Sequence, residues 1–136
     1  MTHVRRRTID LRSEQGQAMT EFALVIPLLA LVLFGIIQFG IVFNNYVTLT
    51  DATRAGARKA AVAGKLPNPT SVCVAAVRAS ASDLNQSKLN PTCTPASSWA
   101  PGTDVTVTAT YPYSISLLGL VVKAGSLSSS TKERVE

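Results

Sequence analysis

The stretch that decides the fold is Phe22–Phe43, FALVIPLLALVLFGIIQFGIVF. Its only polar side chain is Gln38, and no charged residue occurs between Phe22 and Thr50. At a rise of about 1.5 Å per residue, a helix of this length covers about 33 Å, which matches the hydrocarbon thickness of a bilayer. We therefore predict that this stretch is a helix that spans a membrane.

The residues on either side of the span indicate an anchor with a defined orientation. A removable secretory signal has a shorter apolar core and a small-residue cleavage site after it. Here the run ends in Asn44-Asn45-Tyr46, and no Ala-x-Ala pattern follows. Arginines before a span favour the cytoplasmic side, and four of them precede this one: Arg5, Arg6, Arg7 and Arg12. We predict a single-pass protein of the cytoplasmic (inner) membrane, with a cytoplasmic N-terminus and an extracytoplasmic C-terminal part.

Composition excludes several classes of function. The chain has 136 residues, a net charge of +5, one histidine and two cysteines. Beyond residue 16 there are nine basic and six acidic side chains, a balance that does not favour binding to nucleic acid. Because we find no nucleophile with a histidine partner, no outward set of metal ligands and no phosphate-binding loop, we predict neither an enzyme nor a cofactor or metal site.

The chain after the span predicts helices first. Residues 44–63 lack proline and are rich in alanine, so the first helix is expected to continue to about residue 63. Glycine and two prolines in the stretch 64–69 end it. A second helix is expected over about 70–84, with Thr70 or Ser71 as its N-cap, and with one face formed by Val72, Ala75, Ala76 and Ala79.

The last third of the chain predicts a small sheet. Residues 85–102 contain three prolines and many polar residues, which indicate a surface loop. Valine and threonine then alternate from Thr103, as in a half-buried strand that ends at Tyr111-Pro112-Tyr113. Two more strands are expected over 115–122 and 126–134, so that the sheet occupies residues 103–134. The predicted class is α+β: a long membrane-spanning helix with a short second helix and a small antiparallel sheet packed on its extracytoplasmic half.

Cys73 and Cys93 are the only thiols, and both lie on the predicted extracytoplasmic side. Paired cysteines outside the cytoplasm normally oxidise, so we predict a disulfide between them. A metal or redox pair is the alternative. It lacks a Cys-x-x-Cys spacing, and the single histidine, His3, lies on the other side of the membrane.

A motif precedes and enters the span. The stretch Gly16–Pro27, GQAMTEFALVIP, resembles the N-terminal signature of type IV pilin-like proteins, and most closely that of the TadE-like pseudopilins of the tight-adherence (Tad/Flp) pilus. The resemblance continues through the apolar run to Asp51–Arg58, DATRAGAR, and covers residues 16 to about 63.

The resemblance implies processing and assembly. A prepilin peptidase would cut between Gly16 and Gln17, which divides the chain into a basic leader (1–16), a transmembrane assembly helix (17–43) and an extracytoplasmic pilin-like domain (44–136). Glu21 would be the fifth residue of the mature chain and would pair with the new N-terminal ammonium of another subunit. The expected partners are the peptidase, the membrane, other pilin or pseudopilin subunits and the Tad assembly machinery.

Two features keep alternatives open. Major pilins of this class usually have tyrosine after the glutamate, whereas this chain has Phe22, which favours a minor pilin or pseudopilin. Glu21 could instead mark the membrane interface and face lipid headgroups. The competing hypothesis for the whole chain is an uncleaved, signal-anchored binding or secretion-accessory protein, and cleavage at Gly16 distinguishes the two.

Overall fold

The computed structural model describes residues 11–95, 99–117 and 119–136. Its elements are α1 (Leu11–Val62), α2 (Pro69–Ser80), β1 (Asn90–Thr94), β2 (Asp104–Leu117) and β3 (Leu120–Arg134). The three strands form one antiparallel sheet in the order β1-β2-β3. This architecture confirms the predicted α+β class. The chain divides into two compact units, one ending at Ile36 and the other running from Ile37 to Glu136.

Helix α1 contains the apolar run and continues well beyond it. It ends at Val62, where the sequence predicts its end, and the following turn is closed by a hydrogen bond of 3.0 Å from the Ala63 N–H to the Ala60 carbonyl. Pro27 lies inside the helix, a break that membrane helices tolerate when nearby groups satisfy the freed carbonyl. The apolar side chains of the run are exposed all round the helix, which a water-soluble protein does not sustain.

Helix α2 differs from its prediction in extent and in its buried face. It begins at Pro69, where a missing N–H costs nothing, and it ends at Ser80 rather than near residue 84. The predicted face of Val72, Ala75, Ala76 and Ala79 is wrong in part: Val72 packs against the core, but the fully buried residues of the helix are Cys73 and Val77. The larger valine side chain fills the space against α1, whereas Ala75 and Ala79 face outward.

Strand β1 lies inside the stretch 85–102 that the sequence predicts as a loop, so that prediction is wrong in part. It pairs with β2 from Asn90↔Thr110 to Thr94↔Thr106. Its proline and its single buried residue, Cys93, are typical of an edge strand, in which one side of the backbone needs no partner.

Strand β2 is the centre of the sheet. Val105, Val107 and Ala109 are fully buried, as their alternation with threonine predicts. The strand does not end at Tyr111-Pro112-Tyr113 but continues to Leu117. β1 pairs no further than Thr110, so Pro112 stands where the β1 side of the strand is unpaired and its missing N–H removes no ladder bond there.

Strand β3 replaces the two separate strands predicted over 115–122 and 126–134. It runs from Leu120 to Arg134 and pairs with β2 from Asp104↔Arg134 to Leu117↔Leu120, with a shift in register between Ile115 and Ser116 that leaves Val122 without a partner in β2. The chain reverses at Gly119, whose φ of +84° is accessible to glycine at little cost. The sheet therefore has the predicted number of strands, but its third member is β1.

The core of the second unit forms where α1 presents small residues to α2 and the sheet. Ala52, Ala57 and Ala60 are fully buried. A Cβ added at Gly56 would clash with Val77 Cγ2 and lie 3.3 Å from Val107 Cγ1. Glycine is therefore required where α1, α2 and β2 meet.

Gly56→Leu tests this contact. The added side chain overfills the junction, so we expect a loss of about 2 kcal/mol in the free energy of unfolding. Chemical or thermal unfolding of the detergent-solubilised chain, followed by near-ultraviolet circular dichroism, measures it. Gly40→Leu is the matched control, since nothing lies within 4 Å of a Cβ at Gly40. Equal stability of the two variants would contradict the packing described here.

Candidate functional site

The residues of the predicted processing motif lie together near the beginning of α1. Gly16, Gln17 and Glu21 all lie within the helix and are exposed. The Gln17 side-chain Nε2 donates to Glu21 Oε1 at 3.2 Å, a contact between residues four apart on one helix face. The amide is neutral, so it orients the carboxylate without cancelling its charge. In the described part of the chain, Glu21 makes no ion pair.

Thr20 takes part in this arrangement, and the sequence reasoning missed it. Its Oγ1 is 3.0 Å from the Gly16 carbonyl oxygen and 2.8 Å from the Gln17 carbonyl oxygen, and it donates to both. The Gly16 carbonyl belongs to the peptide bond that the motif marks for cleavage. A threonine four residues after the motif glycine is the sequence signal, because such hydroxyls bond back to the preceding turn of a helix.

The apolar surface after the motif is the second part of the site. Among the described residues, one helix is long and apolar enough to cross a membrane, and it lies near the N-terminus. Leu24 is 79% exposed and Phe39 is 68% exposed. Side chains of this kind require lipid or the apolar helices of other subunits as a covering.

A disulfide joins α2 to β1. Cys73 and Cys93 are bonded, with their Cα atoms 6.5 Å apart, and both residues are buried. The described residues include no free cysteine. The bond connects the helix that packs on Gly56 to the outer edge of the sheet.

The outer half of α1 also contacts β3 through hydroxyl groups. Thr53 is fully buried, and its Oγ1 donates to the Thr50 carbonyl at 2.8 Å. The Ser129 hydroxyl lies 3.0 Å from Thr53 Oγ1, and the Thr131 hydroxyl donates to it at 3.3 Å. Three side chains thus satisfy one another where the sheet meets the helix.

A charged cluster lies at the end of the sheet near the C-terminus. Asp104 Oδ2 is 2.9 Å from Lys132 Nζ, and Asp104 Oδ1 is 3.3 Å from Arg134 Nε. The hydrogen bond and the charge of Lys132 hold the pKa of Asp104 below its ordinary value, with a smaller contribution from Arg134. All three side chains are solvated, so the cluster contributes little to stability.

A shallow groove of about 460 Å³ lies between α1 and α2. It is lined by Ala55, Arg58, Lys59, Val62, Ala76, Ala79 and Ser80. The Arg54 side chain forms a solvated ion pair with Asp51 at 3.6 Å, and both Arg54 and Arg58 are exposed. No group of three or more potential metal ligands occurs among the described residues.

Comparison with known proteins finds a family that is similar to the first part of the chain. Residues 16–58 match a family model described as TadE-like protein. The matched segment contains the Gly16–Glu21 motif, the apolar run and the small-residue face of α1 up to Arg58. No curated protein and no solved structure matches the chain.

The apolar helix and the family match over its sequence indicate a pilus-related, membrane-anchored protein. Within that class, the family match over residues 16–58 supports a TadE-like protein of the Tad pilus system. Residues 59–136 lie outside the matched segment, so the sheet, α2 and the disulfide are described from this structure alone.

Replacing the cysteines tests how much the disulfide contributes to the second unit. The bonded residues are 20 apart in sequence, and a bridge closing a loop of this length stabilises by about 3 kcal/mol in the chain-entropy model. We expect the Cys73→Ala/Cys93→Ala variant to lose about this much in the free energy of unfolding.

The measurement is non-reducing mass spectrometry of alkylated protein together with urea unfolding. The wild-type chain purified from the envelope should show no alkylated thiol. Quantitative alkylation of both cysteines in that material would contradict the bridge, and the wild-type chain unfolded in reductant is the control for the substitutions themselves.

Proposed function

We propose that this protein is a minor pilin or pseudopilin that is processed after Gly16 and takes part in assembling or priming a Tad pilus for surface adherence. The observation that carries the proposal is the family match over residues 16–58, because that segment joins the cleavage motif, Glu21 and the apolar helix in one continuous element. The α+β unit beyond Phe43 would be presented outside the cytoplasm.

Topology supports this role. The four arginines of the predicted leader favour retention in the cytoplasm, and the Cys73–Cys93 bond suits an oxidising compartment on the other side. A chain in this orientation exposes residues 1–16 to a membrane-embedded prepilin peptidase at the cytoplasmic face. Its apolar helix is then free to move from lipid into a bundle of subunit helices.

The competing function is an uncleaved, signal-anchored binding or secretion-accessory protein. One observation favours it: α1 passes without a break through Gly16 and Gln17, whereas a peptidase needs the backbone locally unwound. Glycine within a helix lowers helix stability by about 1 kcal/mol relative to alanine, which makes unwinding at Gly16 easier than at its neighbours. Cleavage is therefore the experiment that decides between the two functions.

Gly16→Val tests processing. A Cβ at Gly16 meets nothing within 4 Å, so the substitution leaves packing intact and acts on recognition by the peptidase. We expect the wild-type chain recovered from its own membrane to begin at Gln17, and the variant to retain the leader. Intact mass and N-terminal sequencing measure this.

Gly35→Val is the matched control for a glycine to valine change in the same helix, because a Cβ at Gly35 also meets nothing within 4 Å. It should be processed like the wild type. A wild-type chain that keeps Met1 after recovery from the native membrane would refute processing and support the uncleaved anchor.

Glu21 is the proposed assembly charge. After cleavage, the ammonium of Gln17 carries a positive charge at the start of the helix, and the carboxylate of Glu21 in a neighbouring subunit would pair with it. In a dry bundle, removing one partner of such a pair costs about 3 to 5 kcal/mol because the other charge stays buried alone. The cost falls where water reaches the pair.

Glu21→Gln isolates the charge, because the shape and the hydrogen bond with Gln17 can persist. We expect the variant to be inserted and cleaved normally but to be lost from the pilus fraction and to fail in restoring attachment to a deletion strain. Asp51→Asn, which also removes an exposed carboxylate from α1, is the control and should assemble. Normal recovery of pilus components with Glu21→Gln would contradict the pairing and support the alternative, in which Glu21 lies at the membrane interface and faces headgroups.

A further inference from the structure

The distal part of the β2–β3 hairpin, described over residues 111–117 and 119–127, extends beyond β1 as a two-stranded arm. β1 pairs with β2 no further than Thr110, while β2 and β3 continue to pair from Tyr111↔Leu127 to Leu117↔Leu120. Near the tip, Leu120, Val121 and Val122 are exposed by 75%, 65% and 63%. Leu120 and Val121 are successive residues of the strand and face opposite sides, while Val122 lies at the shift in register, so both faces of the arm carry uncovered apolar side chains.

The contacts of β3 with α1 give the direction in which the arm points. The Glu136 N–H donates to the Ala61 carbonyl at 3.0 Å, near the end of the helix. Further back along both elements, Ser129 and Thr131 meet Thr53. Strand and helix therefore run in the same sense, and the arm continues toward the beginning of the second unit, where the apolar run ends at Phe43.

These contacts also give the reach of the arm along the helix axis. Between Ala61 and Thr53 the helix advances about 12 Å, while the extended chain from Ser130 through the end of β3 to Glu136 covers about 20 Å. The strand is thus inclined to the axis of α1, and its advance along that axis is about 0.6 of its own length. The remaining stretch to Gly119 is about 35 Å long, which places the tip close to the level of residues 39–43.

Burial on α1 agrees with this reach. Leu49 is fully buried, and Asn45 and Val42, one and two turns before it on the same face, are half-buried. Ile41, Phe43 and Tyr46 on the other faces are exposed. Leu127, at the base of the arm, packs against the core cluster that contains Leu49. The face of α1 that contains Leu49, Asn45 and Val42 is therefore partly covered from the core to the end of the apolar run.

We propose that the tip of the arm inserts into the membrane surface, in the phospholipid leaflet on the side of the α+β unit, and acts as a second membrane contact beside α1. The tip residues would enter the boundary between headgroups and acyl chains, about 5 to 10 Å deep. Lys123 and Tyr113 follow immediately behind the tip, and such side chains favour the interface, where the ammonium reaches lipid phosphate. The inference requires α1 to span the bilayer, but it does not require cleavage or pilus assembly.

Tryptophan scanning of the full chain in phosphatidylcholine and phosphatidylglycerol vesicles tests this contact. Leu120→Trp and Val122→Trp place a fluorophore on the exposed tip, and brominated acyl chains quench tryptophan that enters the bilayer. The single native tryptophan, Trp99, is buried and bonded to the Pro95 carbonyl, so it supplies a constant background. Phe39→Trp, in the apolar run, reports insertion of α1. Ser128→Trp, exposed further along β3, is the matched control outside the arm.

We expect bromolipid to lower the emission of the introduced tryptophan about twofold in both tip variants, because the tip would reach the acyl boundary. The tryptophan of Phe39→Trp should also be quenched, and that of Ser128→Trp should be unchanged. Quenching at Phe39→Trp without quenching at either tip position would overturn the proposal while leaving the anchor intact. A blue-shifted but unquenched tip would also overturn it, because another protein chain would then cover the arm. Loss of quenching at Phe39→Trp as well would refute the anchor and the inference together.

Discussion

The contact at Gly56 is the one on which the second unit depends. There α1 has no side chain, and Val77 of α2 and Val107 of β2 both approach its backbone. A three-stranded sheet and a twelve-residue helix have little apolar surface of their own, so they become stable only by sharing the surface of α1. The Cys73–Cys93 bond adds a covalent link to the same arrangement, because it ties α2 to the edge strand β1. The helix that anchors the protein therefore also supports its α+β unit.

Local patterns of sequence predicted the parts of the fold that local physics decides. The absence of charge from Phe22 to Thr50 identified the apolar helix, and alternation identified the buried side of β2 at Val105 and Val107. The predictions that failed depend on residues far away in the sequence. Whether a proline ends a strand depends on whether its edge has a neighbour, and the neighbour of β2, strand β1, stands in a segment rich in proline and polar residues. Which face of α2 is buried likewise depends on Gly56, and the sequence of α2 does not contain that information.

In the candidate site, too, the sequence predicted some features and not others. Gly16, Gln17 and Glu21 could be named from a motif, and the structure adds that they occupy one exposed helical segment with a Gln17–Glu21 hydrogen bond. The bonds from Thr20 to the Gly16 and Gln17 carbonyls were missed because they exist only once that segment is helical. The apolar arm of residues 111–127 could not be foreseen at all. It follows from the register of two long strands and from the early end of a third.

The hydroxyls of buried Thr53 and of half-buried Ser129 and Thr131 give the domain a fixed alignment rather than additional strength. Apolar packing excludes placements that would set an alanine against Val77 in place of Gly56, and the hydroxyl contacts add a polar requirement to that apolar one. A slip of β3 by one residue would turn Ser129 and Thr131 to the other side of the sheet and leave the Thr53 hydroxyl enclosed without them. The three hydroxyl groups thus help to fix the position of β3 along α1.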